Sequence, residues 1–237
     1  MRIGFMERKI AKQIRLSPSR LNLFLECPFC FWLEHQGIHR PKGIFPSLPS
    51  GMDLAIKKYF DIYREKNELP PELEGKVVGK LLRNYNLLSA WRNNRKGISF
   101  FDEKTQAELF GAIDDCLVTK DDKGQFYMIP IDFKTRGFAL KADSTSFYQN
   151  QLDCYALLIE KNGYRCADFA YLVYFIPLEI KKDGIVQFNI QIEKVNVNPS
   201  RALKTFREAV AVLRGTKPKR HSECTFCAWA DDWMKFE

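Results

Sequence analysis

The sequence predicts an α/β fold in which helices flank a mixed sheet. Two apolar, strand-like runs between Phe110 and Arg136 are separated by turn residues, which is typical of a β-hairpin. A helical pattern and another strand-like run follow residue 133, and such a strand–helix–strand connection makes part of a sheet parallel. Further helical patterns precede and follow these strands, so we expect helices on the flanks of the sheet.

The first predicted elements are helices. Ser17 is a good N-cap and Pro18 suits the first helical position, where its missing N–H costs nothing, so a helix is expected to begin there. The basic residues 1–16 before it are assigned no chemistry. Proline, glycine and serine are frequent over 40–51, which predicts a loop, and apolar residues at helical spacing predict a second helix over 52–66.

Basic residues are frequent on this second helix and in the segment after it. Lys57, Lys58 and Arg64 are expected on the solvated face of the helix. Residues 76–95 form a basic helical or mixed region with interleaved aromatic residues. Such a pattern can follow a nucleic-acid strand, and it is equally typical of an ordinary solvated helix face.

The central hairpin and the elements after it complete the predicted fold. A loop of Asp122, Lys123 and Gly124 would place Gly124 where a three-residue hairpin needs a left-handed residue. The later elements are a helix from 143–146 to about residue 162, strands over 169–180 and 185–197, and a last helix from 198 to about residue 214.

The composition is that of a globular protein with a basic net charge. A chain of 237 residues, 46% of them hydrophobic, can bury a substantial core. The formal charge of +8 favours an anionic partner, of which nucleic acid is the commonest. No apolar run approaches the length of a membrane span, and the basic N-terminus lacks a secretory apolar core. We therefore expect a cytoplasmic protein without a membrane partner.

The hairpin brings two acids and a lysine to one place. With Lys123 at the centre of the turn, Asp114 falls opposite Asp132, and Lys134 shares a face with Asp132 because strand side chains alternate. Facing carboxylates repel unless a cation or a shared proton lies between them, and oxygen ligands suit magnesium or manganese. The alternative is a solvated strand residue at Asp114 and an edge-strand charge at Lys134.

Four of the seven cysteines form two C-x-x-C pairs, Cys27 with Cys30 and Cys224 with Cys227. If all four meet, they join the two ends of the chain. From the spacing alone zinc is favoured, a [4Fe-4S] cluster is a second option, and unliganded thiols are a third. The other three are most simply buried small apolar residues: Cys116, Cys154 and Cys166.

Several motifs together resemble the PD-(D/E)xK nuclease superfamily, in particular its RecB-like branch. They are SPSRLNLFLECP from Ser17, GAID at Gly111 to Asp114, IDFKT at Ile131 to Thr135, Gln151 with Tyr155, and cysteines at both ends. The resemblance implies a restriction-endonuclease-like mixed sheet flanked by helices. We expect a single nuclease-like domain over 1–237, in which 17–35 and 215–237 form a subregion joined at the four-cysteine site.

The resemblance also implies roles for individual residues. Asp114 and Asp132 look like ligands of Mg or Mn, with the backbone carbonyl of Phe133 as a third oxygen. Lys134 resembles the family lysine that orients or deprotonates the attacking water, or offsets charge on the phosphate. Gln151 and Tyr155 resemble a helix motif that supports the site and meets the nucleic-acid backbone, although a helix face that packs on the sheet explains them equally well. Glu108 would support the site from outside the ligand set.

The function implied is that of a divalent-metal-dependent DNA nuclease, and more narrowly of an exonuclease on DNA that is single-stranded or has free ends. Protein partners in a recombination or CRISPR complex fit the same resemblance. The alternative is a non-catalytic nucleic-acid-binding or complex-assembly module on a nuclease-like fold.

Two features depart from the RecB-like pattern. Relatives often carry a ligand histidine four residues after a glycine in an early helix, whereas Gly51 is followed at that spacing by Ala55. Asp53 and Lys57 are the nearby candidates to compensate, but neither reproduces an imidazole ligand. Relatives hold a [4Fe-4S] cluster with one N-terminal and three C-terminal cysteines, whereas this chain has two and two. The resemblance favours the cluster and the spacing favours zinc.

Overall fold

A computed structural model describes residues 13–41, 43, 46–141 and 143–235, which form a mixed α/β structure. The helices are α1 Pro18–Glu26, α2 Pro28–His35, α3 Ser47–Lys66, α4 Tyr85–Trp91, α5 Gln149–Lys161, α6 Pro199–Arg214 and α7 Thr225–Trp233. The strands are β1 Arg15–Leu16, β2 Lys80–Leu81, β3 Ile98–Asp102, β4 Ala107–Gly111, β5 Asp115–Lys120, β6 Phe126–Thr135, β7 Phe169–Ile180 and β8 Val186–Asn196.

The strands form two sheets. The larger has the order β2-β5-β6-β7-β8, in which β6 and β7 are parallel and the other neighbours are antiparallel. This confirms the mixed sheet and the parallel crossover predicted after residue 133. The smaller has the order β1-β4-β3, with β1 parallel to β4.

The central hairpin has the predicted register. Strands β5 and β6 pair from Lys120↔Phe126 to Asp115↔Ile131, so Lys123 lies at the centre of the turn. Gly124 has a φ of 74° and its N–H donates to the Asp121 carbonyl over 2.8 Å. The predicted start of the hairpin at residue 110 is wrong. Phe110 and Gly111 are the last two residues of β4 in the smaller sheet, and the chain enters the larger sheet only at Asp115.

Other boundaries differ near the N-terminus. Helix α3 begins at Ser47, inside the segment predicted as a loop, because a proline at position 49 is tolerated in the first turn of a helix. Residues 1–12 of the basic leader lie outside the described residues, and Arg15–Leu16 pair with β4. The region 76–95 contains the short strand β2 and the helix α4.

Helix α5 occupies the middle of the structure. It contacts β6 of the larger sheet, β3 and β4 of the smaller sheet, and the helices α1 and α6. All eight residues from Leu152 to Ile159 are consequently buried. The opposite face of the larger sheet is covered by α3, where the rings of Phe60 and Phe133 lie 4.5 Å apart. None of the helices within the described ranges is both long and apolar enough to cross a membrane.

Candidate active site

Asp132 is a carboxylate buried where β6 passes under α5. Its side chain is 1% exposed, and Oδ1 accepts a hydrogen bond of 2.8 Å from Nε2 of Gln151. Nζ of Lys134 lies 2.5 Å from Oδ2, but no donor in the described part of the chain has hydrogen-bond geometry toward that oxygen. Burial raises the pKa of Asp132 to about 7, a shift that Lys134 opposes and the nearby Asp114 reinforces.

Asp114 lies one residue before β5, so the hairpin register brings it level with Asp132. The Phe133 N–H donates to its Oδ2 over 3.0 Å, and Nζ of Lys57 lies 2.8 Å from its Oδ1. The N–H and C=O of one strand residue point toward the same strand edge. The Phe133 carbonyl therefore faces the Asp114 side of β6, which is where a third oxygen ligand was predicted.

Lys134 and Gln151 are hydrogen-bonded to each other beside the acids. The Gln151 amide donates to Asp132 and its Oε1 lies 3.2 Å from Nζ of Lys134, which also lies 4.5 Å above the ring of Tyr148. Although burial opposes its charge, the carboxylates of Asp132 and Asp114 raise the pKa of Lys134. The side chain is therefore an ammonium group at neutral pH.

Tyr155 lies one helical turn beyond Gln151, and its hydroxyl accepts from Gln151 Nε2 over 2.5 Å. Burial raises the pKa of Tyr155 well above the ordinary value, so the phenol is neutral. Both residues line a cleft of about 300 Å³ together with Ser17, Ser19, Asn22 and Gly111, among others. The helix motif is thus both packed against the sheet and open to this cleft.

Gly111 of the GAID motif has a packing role. A Cβ at this position would lie 3.1 Å from Leu158 Cδ1 and 3.3 Å from Tyr155 Cε1. The close approach of β4 to α5 therefore depends on a glycine.

Glu108 does not support the site as predicted. Side chains alternate along β4, in which Leu109 is buried and Gly111 faces α5, so Glu108 points to the opposite face of the strand. Its carboxylate instead pairs with Nε of Arg15 over 2.7 Å.

Helix α3 presents Asp53 and Lys57, not Ala55, to the acids. Nζ of Lys57 lies 2.8 Å from Oδ2 of Asp53 and 2.8 Å from Oδ1 of Asp114. Ala55 is exposed and lines an apolar groove with Tyr59 and Phe188, so a side chain at this position points away from the acids. Lys57 is mostly buried, contrary to the prediction of a solvated lysine.

A buried ionic cluster behind Asp114 was missed by the sequence reasoning. Asp115 and Arg64 are fully buried and lie 2.5 Å apart, and Arg92 contacts the same carboxylate over 2.9 Å. Nε of Arg92 also donates to the backbone carbonyl of Asp114 over 2.7 Å. The cluster thus fixes the backbone that carries Asp114. The available signal was a second aspartate at the start of an apolar strand, since a buried carboxylate requires partners.

The two acids fit a divalent cation. Their oxygens are the hard ligands that magnesium and manganese prefer, and the buried Oδ2 of Asp132 lacks a hydrogen-bond donor among the described residues. Asp114 and Asp132 could hold such an ion together with the Phe133 carbonyl.

The four cysteines of the two C-x-x-C pairs meet, as the sequence predicted. All four Sγ atoms lie within 4.8 Å of one another and all four residues are buried. Cys27 and Cys224 are the N-cap residues of α2 and α7, and their partners lie in the first turns. Although burial opposes its ionisation, backbone N–H groups of His221 and Cys30 lower the pKa of Cys27 to about 7. Cys116, Cys154 and Cys166 lie outside this cluster, and the first two are buried.

One comparison with known proteins identifies the family of the chain. A family model of the PD-(D/E)XK nuclease superfamily matches residues 15–231, which include the acids, Lys134, Gln151 and both cysteine pairs. A search of curated proteins found no match. Members of the superfamily are generally phosphodiesterase nucleases that use divalent metals. The chain belongs to the PD-(D/E)XK nuclease superfamily.

Proposed function

We propose that the protein is a RecB-like DNA nuclease that depends on Mg or Mn and acts as an exonuclease on single-stranded DNA or free ends. The observation that carries the proposal is the convergence of Asp114, Asp132 and Lys134 under Gln151. The cysteines at both ends of the chain and the Gln151–Tyr155 pair on α5 support the RecB-like assignment.

Three residues would hold the metal: Asp114, Asp132 and Phe133, the last through its carbonyl. A divalent ion bound there would stabilise the negative charge that builds on the phosphate during hydrolysis. The protein's own contribution is to fix the oxygens. Gln151 holds one oxygen of Asp132, and the Phe133 N–H holds one oxygen of Asp114.

We assign to Lys134 the orientation of the attacking water and the neutralisation of charge on the scissile phosphate. Its ammonium group lies between Oδ2 of Asp132 and Oε1 of Gln151, so it is already positioned beside the oxygens that would bind the metal. Gln151 is a positioning residue for both groups, and Tyr155 holds the Gln151 amide in turn.

Exposed aromatic rings in the segment that connects β6 to α5 support a substrate with unpaired bases. Phe147 is 68% exposed and Phe138 is 82% exposed, and both belong to the segment between Lys134 and α5. A base stacked on an aromatic side chain contributes about 1–3 kcal/mol, regardless of sequence. The net charge of +8 favours the phosphate backbone of any such strand.

A cleavage assay tests the proposal. End-labelled single-stranded DNA, linear duplex and closed circular DNA are incubated with the protein and Mg²⁺ or Mn²⁺. We expect degradation of single strands or linear ends, no cleavage of closed circles, and loss of activity in Lys134→Met. Lys123→Met, on the exposed turn of the same hairpin, is the matched control and should retain activity. Equal activity of both variants would contradict the assignment.

One observation favours the non-catalytic alternative. Lys57 holds Oδ1 of Asp114, an oxygen that a catalytic metal would need. A binding module predicts salt-sensitive DNA binding without cleavage under any of the metal conditions above. The same assay, combined with a binding measurement, therefore separates the two functions.

A further inference from the structure

The four buried thiols at the N-termini of α2 and α7 are closely spaced. Sγ of Cys27 lies 3.8 Å from that of Cys227, and Sγ of Cys30 lies 3.6 Å from those of both Cys224 and Cys227. No pair is separated by more than 4.8 Å. These distances define the size of the space that a bound group can occupy.

A tetrahedral zinc site requires this spacing. Zinc binds thiolate sulfur at about 2.3 Å, so the sulfurs at the corners of the tetrahedron lie about 3.8 Å apart. A [4Fe-4S] cluster requires a wider arrangement, because each thiolate binds a different iron atom at the corner of a cube and the sulfurs lie roughly 6 Å apart. The observed spacing therefore matches a zinc tetrahedron and is narrower than the cluster that the RecB-like resemblance implies would require.

The surrounding structure holds the thiols at this spacing. Each pair consists of an N-cap cysteine and a cysteine in the first turn of the same helix. Helix α2 packs against α6, and the ring of Phe29 contacts both Lys217 and Arg220 in the segment before α7. A wider arrangement of the sulfurs would require the cysteine side chains to rotate or the two helices to separate.

We propose that Cys27, Cys30, Cys224 and Cys227 bind one structural zinc ion in place of an iron–sulfur cluster. Four thiolates and Zn²⁺ carry a net charge of −2. Nη2 of Arg40 lies 3.4 Å from Sγ of Cys224, and the positive ends of two helices point at the site, so this charge is compensated. All four ligand positions are taken by protein sulfur, which is the arrangement of a structural zinc site.

Metal analysis of the wild-type protein tests the proposal. The protein is purified anaerobically, stripped of metal, and offered Zn²⁺ together with iron and sulfide. We expect about one zinc per chain, little iron or acid-labile sulfide, and no broad visible absorbance. Replacement by Co²⁺ should give the absorption bands of a tetrahedral thiolate site. Iron and sulfide in a brown protein would overturn the proposal, and so would four reactive thiols with no bound metal.

Two variants locate the zinc. Cys227→Ser should lose the zinc and lower the melting temperature, because binding energy at a structural site contributes to folding. Cys166→Ser removes a half-buried thiol outside the cluster and should keep one zinc per chain. Loss of zinc in both variants or in neither would contradict the assignment. Because the readout is metal content, the outcome is independent of whether the protein cleaves DNA.

Discussion

Each acid of the candidate site has one oxygen held by the protein and the other facing a lysine. Asp132 is held by Gln151 and faces Lys134, and Asp114 is held by the Phe133 N–H and faces Lys57. The orientation of both carboxylates is therefore fixed. The second oxygen of each carboxylate lies next to a lysine ammonium group, and a divalent ion could bind there in place of that group or beside it.

Lys57 competes with a metal for Asp114, so its removal should strengthen metal binding. In Lys57→Met we expect Mn²⁺ affinity to rise roughly five- to tenfold, the equivalent of about 1 kcal/mol for a partly buried ion pair. Titration calorimetry of wild type and variant measures the difference. Lys58→Met, an exposed neighbour on the same helix, should bind like the wild type. Unchanged or weaker binding by Lys57→Met would contradict this competition.

Gln151 should affect metal binding and cleavage through its hydrogen bonds to Asp132 and Lys134. Gln151→Met removes both its donor to Asp132 and its acceptor for Lys134, and the loss of such a partner of a metal ligand typically costs 10–100-fold in affinity or activity. Tyr155→Phe leaves the Gln151 amide in place and should have the smaller effect. Parallel measurements of Mn²⁺ affinity and cleavage rate check this order, and a larger effect of Tyr155→Phe would reverse the roles assigned here.

Among the elements, α5 packs against both sheets and contributes Gln151 and Tyr155 to the candidate site. Its residues from Leu152 to Ile159 are all buried, and it lies close to β4 at Gly111. The position of Gln151 therefore depends on how closely α5 packs against β4.

The contact at Gly111 makes a stability prediction. Gly111→Ala places a methyl group 3.1 Å from Leu158 Cδ1, and such overpacking typically costs about 1–3 kcal/mol. We expect a lower melting temperature and a lower free energy of unfolding in urea. Gly137→Ala is the control, because a Cβ there meets no atom within 4 Å. Equal stability of the Gly111→Ala variant and the wild type would show that α5 can shift.

A second link between elements should respond to pH. Asp102 of β3 accepts two hydrogen bonds from Arg207 of α6, over 2.9 and 2.8 Å, and these lower the pKa of Asp102. A lowered pKa contributes stability above the ordinary pKa of aspartate, and this stability is lost as the pH falls through the folded value. Wild type should therefore exceed Asp102→Asn in unfolding free energy at pH 6, and the difference should shrink toward pH 2.5. Urea unfolding across this range measures it, and a constant difference would exclude the pKa as its cause.

For the molecule as a whole, local sequence patterns were enough to predict the hairpin, whereas contacts between distant residues became known only from the structure. The alternation around Lys123 and the glycine at position 124 were sufficient for the register that brings Asp114 to Asp132. The doubled C-x-x-C spacing, together with the family resemblance, predicted that both chain ends meet. The residues that decide the hairpin register are close together in the chain, and the residues that join the chain ends are all cysteines.

The features that were missed depend on residues far apart in the chain. Strand β1 is two residues long and pairs with β4 about ninety residues later, so its own sequence has little strand signal. Arg64 and Lys57 resemble solvated residues of an amphipathic helix until Asp115 and Asp114 are placed beside them. The orientation of Ala55 likewise follows from the packing of α3 on the sheet.

The central claim is that the paired carboxylates make the protein a metal-dependent nuclease. It is tested most directly by the rate of cleavage of end-labelled single-stranded DNA with Mn²⁺, compared among wild type, Asp132→Asn and Asp122→Asn. Asp122 is an exposed aspartate on the turn of the same hairpin, so its variant matches the chemistry of the change. We predict cleavage by wild type and Asp122→Asn that stops when the metal is chelated, and none above background by folded Asp132→Asn. Cleavage by Asp132→Asn at the wild-type rate would contradict the account.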